Sequence, residues 1–326
     1  MTIPQNTEAF PTAHFIKEIG RGKYGARDLS RVDAKQLYAA MLDGRVGDLE
    51  LGAILLAMRI KGESVDEIAG FLDAAEESFE RLTAPRGAYA PVVIPSYNGS
   101  RSMANLTPLL AMLLARAGTP VLVHGVLHDP NRVTTAEIFQ ELGLPMADTV
   151  AEAEAQFSRG LPVFMTIEAL APQMARLAAL RQKLGVRSST HTLVKILQPF
   201  QGPALRLTSY THPEYLEMLT SYFSTCAPPE RGDAFLMRGT EGETIANAKR
   251  AQRIDWFHGG QMTTLVQKQS PVDEVPPLPD QRDAATTAAW ITAALAGTVP
   301  IPASITEQVD HCLMVSRLIQ LRVHST

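Results

Sequence analysis

Hydrophobic positions in the first quarter of the chain repeat at the spacing of amphipathic helices. Ser30 precedes one such repeat with Asp33 three residues later, and Ser64 precedes another with Glu67 three residues later. A hydroxyl side chain followed by an acidic residue at this spacing is typical of the capping box at a helix N-terminus. A third repeat follows Asp48, which is placed to cap it. The pattern predicts a layer of three helices with short connections.

From about residue 91 the pattern changes to short apolar runs bounded by helix breakers. Such runs predict strands at residues 91–95, 120–124, 162–166 and 234–238. Helical repeats are predicted at residues 106–117 and 284–295. Because a helix separates the first two strands, we expect a parallel pair with a crossover connection.

These elements predict an α/β fold in two domains. The first is a small all-helical N-terminal domain at residues 1–87, joined by helices from about residues 168–195. The second is a larger α/β domain at residues 88–326, with a central mixed, mainly parallel sheet flanked by helices.

Composition and charge narrow the class of protein. The chain has 326 residues, of which 45% are hydrophobic and 20% charged, as in ordinary globular proteins. Two cysteines, Cys226 and Cys312, and no CxxC pair argue against a disulfide framework or a thiolate metal site. The first residues lack the pattern of a signal peptide, and a charge, a glycine and a proline interrupt the longest apolar stretch. We expect a cytoplasmic protein that does not enter a membrane.

The positive charge is concentrated near the N-terminus. The whole chain has a formal net charge of −4, yet five basic and two acidic residues lie between residues 14 and 31. The basic residues are Lys17, Arg21, Lys23, Arg27 and Arg31. Lys17 and Arg21 would share a helical face, and the glycines among them would let a phosphate approach the backbone. This segment, which we call the basic segment, predicts a polyanion site, although an ordinary solvated helix end would have the same composition.

The glycines of the basic segment also match a GxGxxG spacing. A dinucleotide site needs a strand before these glycines, whereas the residues before them have helical spacing. A protein kinase is excluded as well, because the chain contains neither HRD nor DFG.

Motifs along most of the chain resemble anthranilate phosphoribosyltransferase and its relatives. Residues 29–44 (LSRVDAKQLYAAMLDG) and 51–71 (LGAILLAMRIKGESVDEIAGF) resemble the N-terminal helical domain of that family. Four further motifs follow in the family order with matching spacing: NLT at 105–107 resembles NIST, HG at 124–125 resembles KHGNR, LGVR at 184–187 resembles LGxR, and GTEG at 239–242 resembles the start of GxDGLDE. The resemblance implies an active cleft between the two domains and a dimer formed through the helical domain. It places the following residues in a vestigial cleft: Asn98, Gly99, Asn105, Thr107, His124, Gly125, Arg187 and Glu241.

The departures from the family motifs affect the donor site most. The window of the GTGGDG loop, which wraps the diphosphate of phosphoribosyl pyrophosphate, is PSYNGS at residues 95–100. Proline donates no amide, and the side chains of Tyr97 and Asn98 would obstruct an anion. In the KHGNR window, three apolar residues replace the lysine, asparagine and arginine that hold phosphate and ribose: Val123, Val126 and Leu127.

The magnesium ligands of the family are also missing. The DE pair falls on Thr244 and Ile245, and isoleucine cannot bind a metal. Glu241 and Glu243 are nearby carboxylates that could hold a metal in place of the DE pair. Arg187 stands where the enzymes bind their aromatic acid, or it could pair within the interdomain hinge.

The leading hypothesis is a non-catalytic phosphoribosyltransferase-like protein that binds DNA or other nucleic acid with little sequence specificity. A homodimer formed through the helical domain would bring two basic segments together, and no cofactor is expected. The alternative is an active phosphoribosyltransferase or phosphorylase with an altered donor or acceptor, and only this alternative requires magnesium. A protein-interaction scaffold is a third possibility.

Overall fold

The computed structural model describes residues 8–22, 24–250, 252–271 and 274–324. Four helices form the N-terminal layer: α1 (Ala13–Ile19), α2 (Arg31–Leu42), α3 (Asp48–Lys61) and α4 (Val65–Glu77). The Ser64–Glu67 capping box is confirmed at the start of α4. At the start of α2, Ser30 accepts the amide of Asp33. Gly47, not Asp48, is the N-cap residue of α3.

A seven-stranded sheet forms the centre of the larger part of the chain. Its strands are β1 (Val92–Ser96), β2 (Val121–Gly125), β3 (Val163–Thr166), β4 (Ala204–Tyr210), β5 (Gly232–Arg238), β6 (Ile254–His258) and β7 (Gln261–Val266). The spatial order is β3-β2-β1-β4-β5-β6-β7, with parallel pairing up to β5 and antiparallel pairing for the last two strands. The predicted mixed, mainly parallel sheet is therefore confirmed.

Helices cover both faces of this sheet. Those that follow β1 are α5 (Thr107–Arg116), α6 (Thr135–Glu141), α7 (Val150–Ser158), α8 (Ile167–Leu170), α9 (Pro172–Ala179), α10 (Arg181–Leu184), α11 (Thr190–Leu193), α12 (Pro213–Thr225), α13 (Ala284–Leu295) and α14 (Ala303–His324), with a 3-10 turn at Pro229–Arg231. Strand residues alternate between two cores: Val93 faces the core shared with α2 and α4, whereas Val92 and Ile94 face the core shared with α5 and α14. None of the helices among the described residues has the length and apolar character needed to cross a membrane.

The chain returns to the helical layer between β3 and β4. In that stretch α9 packs on α2, and α11 packs on α4 and α9. At the C-terminal end of α4, the carboxylate of Glu76 pairs with Arg231, with Oε2 2.9 Å from Nη2. Oε1 of Glu76 accepts the backbone amide of Gln198 at 2.9 Å. Both partners of this ion pair are buried. These contacts fix the helical layer against the sheet, and a cleft lined by Arg59 of α3 and Tyr210 of β4 lies between the two parts.

The strand order locates the cleft. From β1 the chain continues in one direction across the sheet to β2 and β3, whereas from β4 it continues in the other direction to β5. In open α/β sheets the crevice at such a switch point, beyond the carboxyl ends of the strands, is the usual place for a ligand. Here the switch point lies between β1 and β4.

Candidate functional site

The loop after β1 presents backbone amides to an anion supplied by the protein itself. The amides of Asn98 and Gly99 both donate to Oε1 of Glu243, at 2.8 and 2.6 Å. Gly99 has a φ of 63°, a left-handed conformation that suits glycine. The Glu243 side chain is buried, so the contact is shielded from water. Burial raises the pKa of Glu243, against hydrogen bonds from Ser96 and the two amides.

A second carboxylate binds the next turn of the same loop. Glu241 accepts the amide of Arg101 at 2.7 Å and that of Ser102 at 3.0 Å, and the Ser102 hydroxyl also donates to it. Burial opposes ionisation of Glu241, but these hydrogen bonds outweigh it and lower the pKa to about 2. The backbone φ of Glu241 is 54°, the one positive value for a non-glycine residue in the described chain. Such a conformation costs about 1–3 kcal/mol and persists only where the surrounding contacts enforce it.

The two carboxylates change the interpretation of the loop. The sequence predicted that the diphosphate cradle was lost because of proline and bulky side chains. The structure instead retains converging amide donors after β1, and Glu241 and Glu243 occupy them. An incoming diphosphate would have to displace both carboxylates and would meet their negative charge.

The residues present do not fit the magnesium ion that the alternative enzyme hypothesis requires. Thr244 and Ile245, at the positions of the family's acidic pair, are buried. Both oxygens of Glu241 and Oε1 of Glu243 already accept backbone N–H donors, and Oε2 of Glu243 is buried without a hydrogen-bond partner among the described residues. Among the described residues there is no group of three His, Cys, Asp or Glu side chains that could hold a metal.

Other residues retained from the family motifs have roles in the fold. The side chain of Asn105 accepts the amide of Thr107 at 3.1 Å at the start of α5 and donates to the Thr135 hydroxyl at 2.9 Å. A Cβ at Gly125 would lie 1.8 Å from the carbonyl oxygen of Ser96 on the neighbouring strand. The close approach of β1 and β2 therefore requires glycine there.

His124 is buried beside the β1 loop. Its Nδ1 lies 2.7 Å from the hydroxyl of Tyr97, and Nε2 has no hydrogen-bond partner among the described residues. Burial lowers the pKa of His124 to about 3. The imidazole is therefore neutral near pH 7, which suits a structural contact better than proton transfer.

A cavity of about 340 Å³ lies in the interdomain cleft. Arg59 comes to it from α3, Arg187 and Lys195 from the segment around α11, and Tyr210 from the end of β4. Burial, followed by the charges of Arg181, Arg132 and Arg59, lowers the pKa of Arg187.

Lys195 was not singled out from the sequence, although a lysine within the apolar run 193–197 is a signal for a functional cation. Burial lowers the pKa of Lys195 to about 8, and nearby Arg187 and Arg132 act in the same direction, against the attraction of Glu243. His191 also lines the cavity, where burial and then Arg187 lower its pKa to about 4.

The basic segment lies at the end of α1. Lys17 is exposed, whereas Arg21 pairs with Glu18, and Arg27 lies 3.7 Å from the same carboxylate. Arg31 forms a bidentate pair with Asp73, at 2.7 and 2.9 Å. Lys23 lies outside the described residues. The expectation that Lys17 and Arg21 share a helical face is wrong, because Gly20 ends α1 and Arg21 follows it.

An apolar stripe runs along α3 next to this segment. Leu49, Leu56 and Ile60 lie on one side of the helix and are 85%, 48% and 68% exposed. Because α1 packs on α3, the basic segment lies beside the stripe.

Comparison with known proteins identifies the class and then the family. Residues 13–79 match the helical bundle domain of the glycosyl transferase family. The whole fold is similar to a crystal structure of anthranilate phosphoribosyltransferase from Thermus thermophilus, with a TM-score of 0.69 over 94% of this chain and 89% of that one, at 19% identity. The enzyme from Saccharomyces cerevisiae in complex with PRPP and Mg has a TM-score of 0.62 over 95% of this chain and 94% of that one, at 13% identity. The architecture is therefore that of a phosphoribosyltransferase-like protein.

Sequence relatives support the same assignment. A protein of Escherichia coli K12 described as the uncharacterized protein YbiB is 47% identical over 92% of this chain and 93% of its own length. An anthranilate phosphoribosyltransferase of Methylobacterium radiotolerans is 32% identical over 55% of this chain, and the match spans 50% of the enzyme. The chain belongs to the anthranilate phosphoribosyltransferase-like family of glycosyl transferases.

Proposed function

We propose that the protein is a non-catalytic member of this family that binds nucleic acid as a homodimer in the cytoplasm. The proposal includes no cofactor. The observation that supports loss of catalysis most directly is the occupation of the β1 loop amides by Glu241 and Glu243. Phosphoryl and phosphoribosyl chemistry depends on positioning a diphosphate and neutralising its developing charge. A chain that fills the anion site with its own carboxylates cannot position the diphosphate there, and a chain without the metal ligands cannot neutralise its developing charge.

The arrangement of α1 and α3 supports the binding surface. The apolar stripe of Leu49, Leu56 and Ile60 is suited to a second copy of α3, because exposed apolar residues in contiguous patches mark interaction sites. A two-fold contact through the stripe would bring two basic segments close together. A positive surface would then form on a chain whose overall charge is −4.

The ion pairs of the basic segment decide which of its residues are candidates. Arg31 is held by Asp73 and stabilises the contact of α2 with α4. Lys17, Arg21 and Arg27 are exposed, and the Glu18 pairs of the two arginines can be exchanged for phosphate. Contacts of this kind bind phosphate and not bases, so affinity should fall with salt and vary little with sequence.

Fluorescence titration of single- and double-stranded DNA at several salt concentrations tests the proposal. We expect binding at low salt. When Lys17, Arg21 and Arg27 are all replaced by Gln, the slope of log K against log salt concentration for double-stranded DNA should become less negative by about three. The matched control replaces Arg86, Arg159 and Arg317, three exposed arginines elsewhere on the surface, by Gln.

Two results would contradict the proposal. One is no DNA binding at low salt by the wild-type protein, which would favour a scaffold that recognises another protein. The other is an equal loss of affinity in the control variant, which would mean that net charge and not the basic segment determines binding.

A further inference from the structure

The interdomain cavity contains basic side chains that lack acidic partners. Arg59, Arg187 and Lys195 line it, and none of them forms an ion pair with a carboxylate of the described residues. Glu214 is the one acidic residue in the lining, and it is exposed. Elsewhere in the chain Arg31 and Arg231 have carboxylate partners close by. The cavity thus concentrates positive charge that the fold leaves unneutralised.

Arg59, Arg187 and Lys195 line one cavity of about 340 Å³, so their positive charges lie within electrostatic reach of one another. Arg59 and Arg187 interact unfavourably, and Arg187 and Lys195 do so as well. Lys195 is attracted by the buried carboxylate of Glu243, but that carboxylate is already bound to the amides of the β1 loop. Lys195 is half-buried beside the exposed Arg59 and Arg187, so holding these cations together without partners costs free energy, and a bound anion would recover that cost.

We propose that this cavity binds a phosphate monoester dianion of about the size of one nucleotide, held by Arg59, Arg187 and Lys195. The source is either a free mononucleotide or the 5′-phosphorylated end of a nucleic acid strand. The site goes beyond the nucleic acid surface proposed above, because a free mononucleotide can bind here even if the basic segment binds no DNA.

The number of cations favours a phosphate over a carboxylate. A carboxylate has one negative charge and would leave two of the three positive charges without neutralisation. A phosphate monoester has nearly two negative charges and three acceptor oxygens, which can serve two arginines and a lysine together.

The size and lining of the cavity favour an attached ring. A volume of about 340 Å³ lies at the lower end of the range of roughly 300–1,000 Å³ for ligand pockets. Tyr210 and Tyr215 line the same cavity and provide aromatic surfaces on which a base can stack. The phosphate would not occupy the β1 loop, whose amides Glu241 and Glu243 already bind.

Isothermal titration calorimetry of the full-length protein tests the site with five ligands. These are adenosine 5′-monophosphate, adenosine, anthranilate, and a hexanucleotide with and without a 5′-phosphate. The variants Arg187→Gln, Lys195→Met and Arg59→Gln are compared with Arg317→Gln, which removes one charge at an exposed position of α14. Thermal unfolding of each variant confirms that it is folded, and Arg59, which is exposed, offers a substitution that leaves the core unchanged.

We expect a phosphorylated ligand to bind and to lose about tenfold to a hundredfold in affinity in each cavity variant, but not in Arg317→Gln. Binding of the mononucleotide identifies the free nucleotide as the source, and binding of the phosphorylated hexanucleotide alone identifies the strand end. The proposal is overturned if neither phosphorylated ligand binds, if adenosine or anthranilate binds as tightly, or if the cavity variants bind like the wild type.

Discussion

Replacement of Glu243 by alanine tests the contact between the β1 loop and the protein's own carboxylate. In the native structure Oε1 of Glu243 accepts the amides of Asn98 and Gly99. Alanine removes the acceptor and leaves two buried donors facing an empty space. Glutamine keeps the shape and an acceptor oxygen but removes the charge, so Glu243→Gln is the matched control.

The expected loss of stability follows from the two amides. Each buried donor left without a partner costs about 1–3 kcal/mol, so Glu243→Ala should lower the free energy of unfolding by about 2–6 kcal/mol. That is a large part of the roughly 5–15 kcal/mol that stabilises a typical domain. Glu243→Gln should cost less than about 2 kcal/mol, because it exchanges two charge-assisted hydrogen bonds for neutral ones and no longer buries a charged group.

Urea denaturation measures these differences, and inorganic phosphate adds a second readout. In Glu243→Ala the vacated amides form an anion site, so phosphate at 100 times its Kd should restore about 2.7 kcal/mol. The wild-type protein should gain less, because Glu243 already fills the site. Equal stability of Glu243→Ala and the wild type, or an equal effect of phosphate on both, would refute the reasoning.

Three further predictions concern the domain junction, the cavity and the dimer. Glu76→Ala should lower the free energy of unfolding by about 3–5 kcal/mol in urea, since it leaves Arg231 as a buried unpaired cation. A loss below about 1 kcal/mol would show that the pair does not hold the domains together. Because the pKa of Lys195 is about 8 in the folded chain and 10.5 in an exposed lysine, the unfolded chain binds more protons between these values. The free energy of unfolding should therefore rise as the pH increases from 8 to 10.5. Urea denaturation of Lys195→Met should not show this rise. The same pH dependence of stability in Lys195→Met as in the wild type would contradict this prediction. Ile60→Glu should convert the protein to a monomer in sedimentation experiments, and an unchanged sedimentation coefficient would exclude the apolar stripe as the dimer contact.

Local signals in the sequence predicted the elements that depend on neighbouring residues. The capping box of Ser64 and Glu67 is a contact between residues three apart, so it can be identified in the sequence. The first two strands of the sheet are short β-branched runs that begin after prolines, and their approximate positions were predicted correctly.

The missed elements have identifiable causes. Strand β4 was not predicted because Arg206 interrupts its apolar run. In the structure this arginine is buried with its guanidinium over the ring of Phe223, a contact between β4 and α12 that no local pattern indicates. The β6–β7 hairpin had a visible signal, since Gly259 and Gly260 form its two-residue turn.

The candidate site depends on contacts between distant parts of the chain. The sequence showed that Glu241 and Glu243 lie near the lost magnesium ligands, and it suggested that they could replace them. Only the fold shows that both bind loop amides about 140 residues earlier in the chain. Likewise, the charge of Arg31 was visible, but its pairing with Asp73 was not.

Titration of phosphoribosyl pyrophosphate into the wild-type protein, with and without magnesium, tests the central claim most directly. The occupied loop amides and the absence of acidic residues at positions 244 and 245 predict no binding at the β1 loop, no effect of magnesium and no release of diphosphate. Magnesium-dependent binding that is lost when the β1 loop is altered, or turnover of the ligand, would contradict the account.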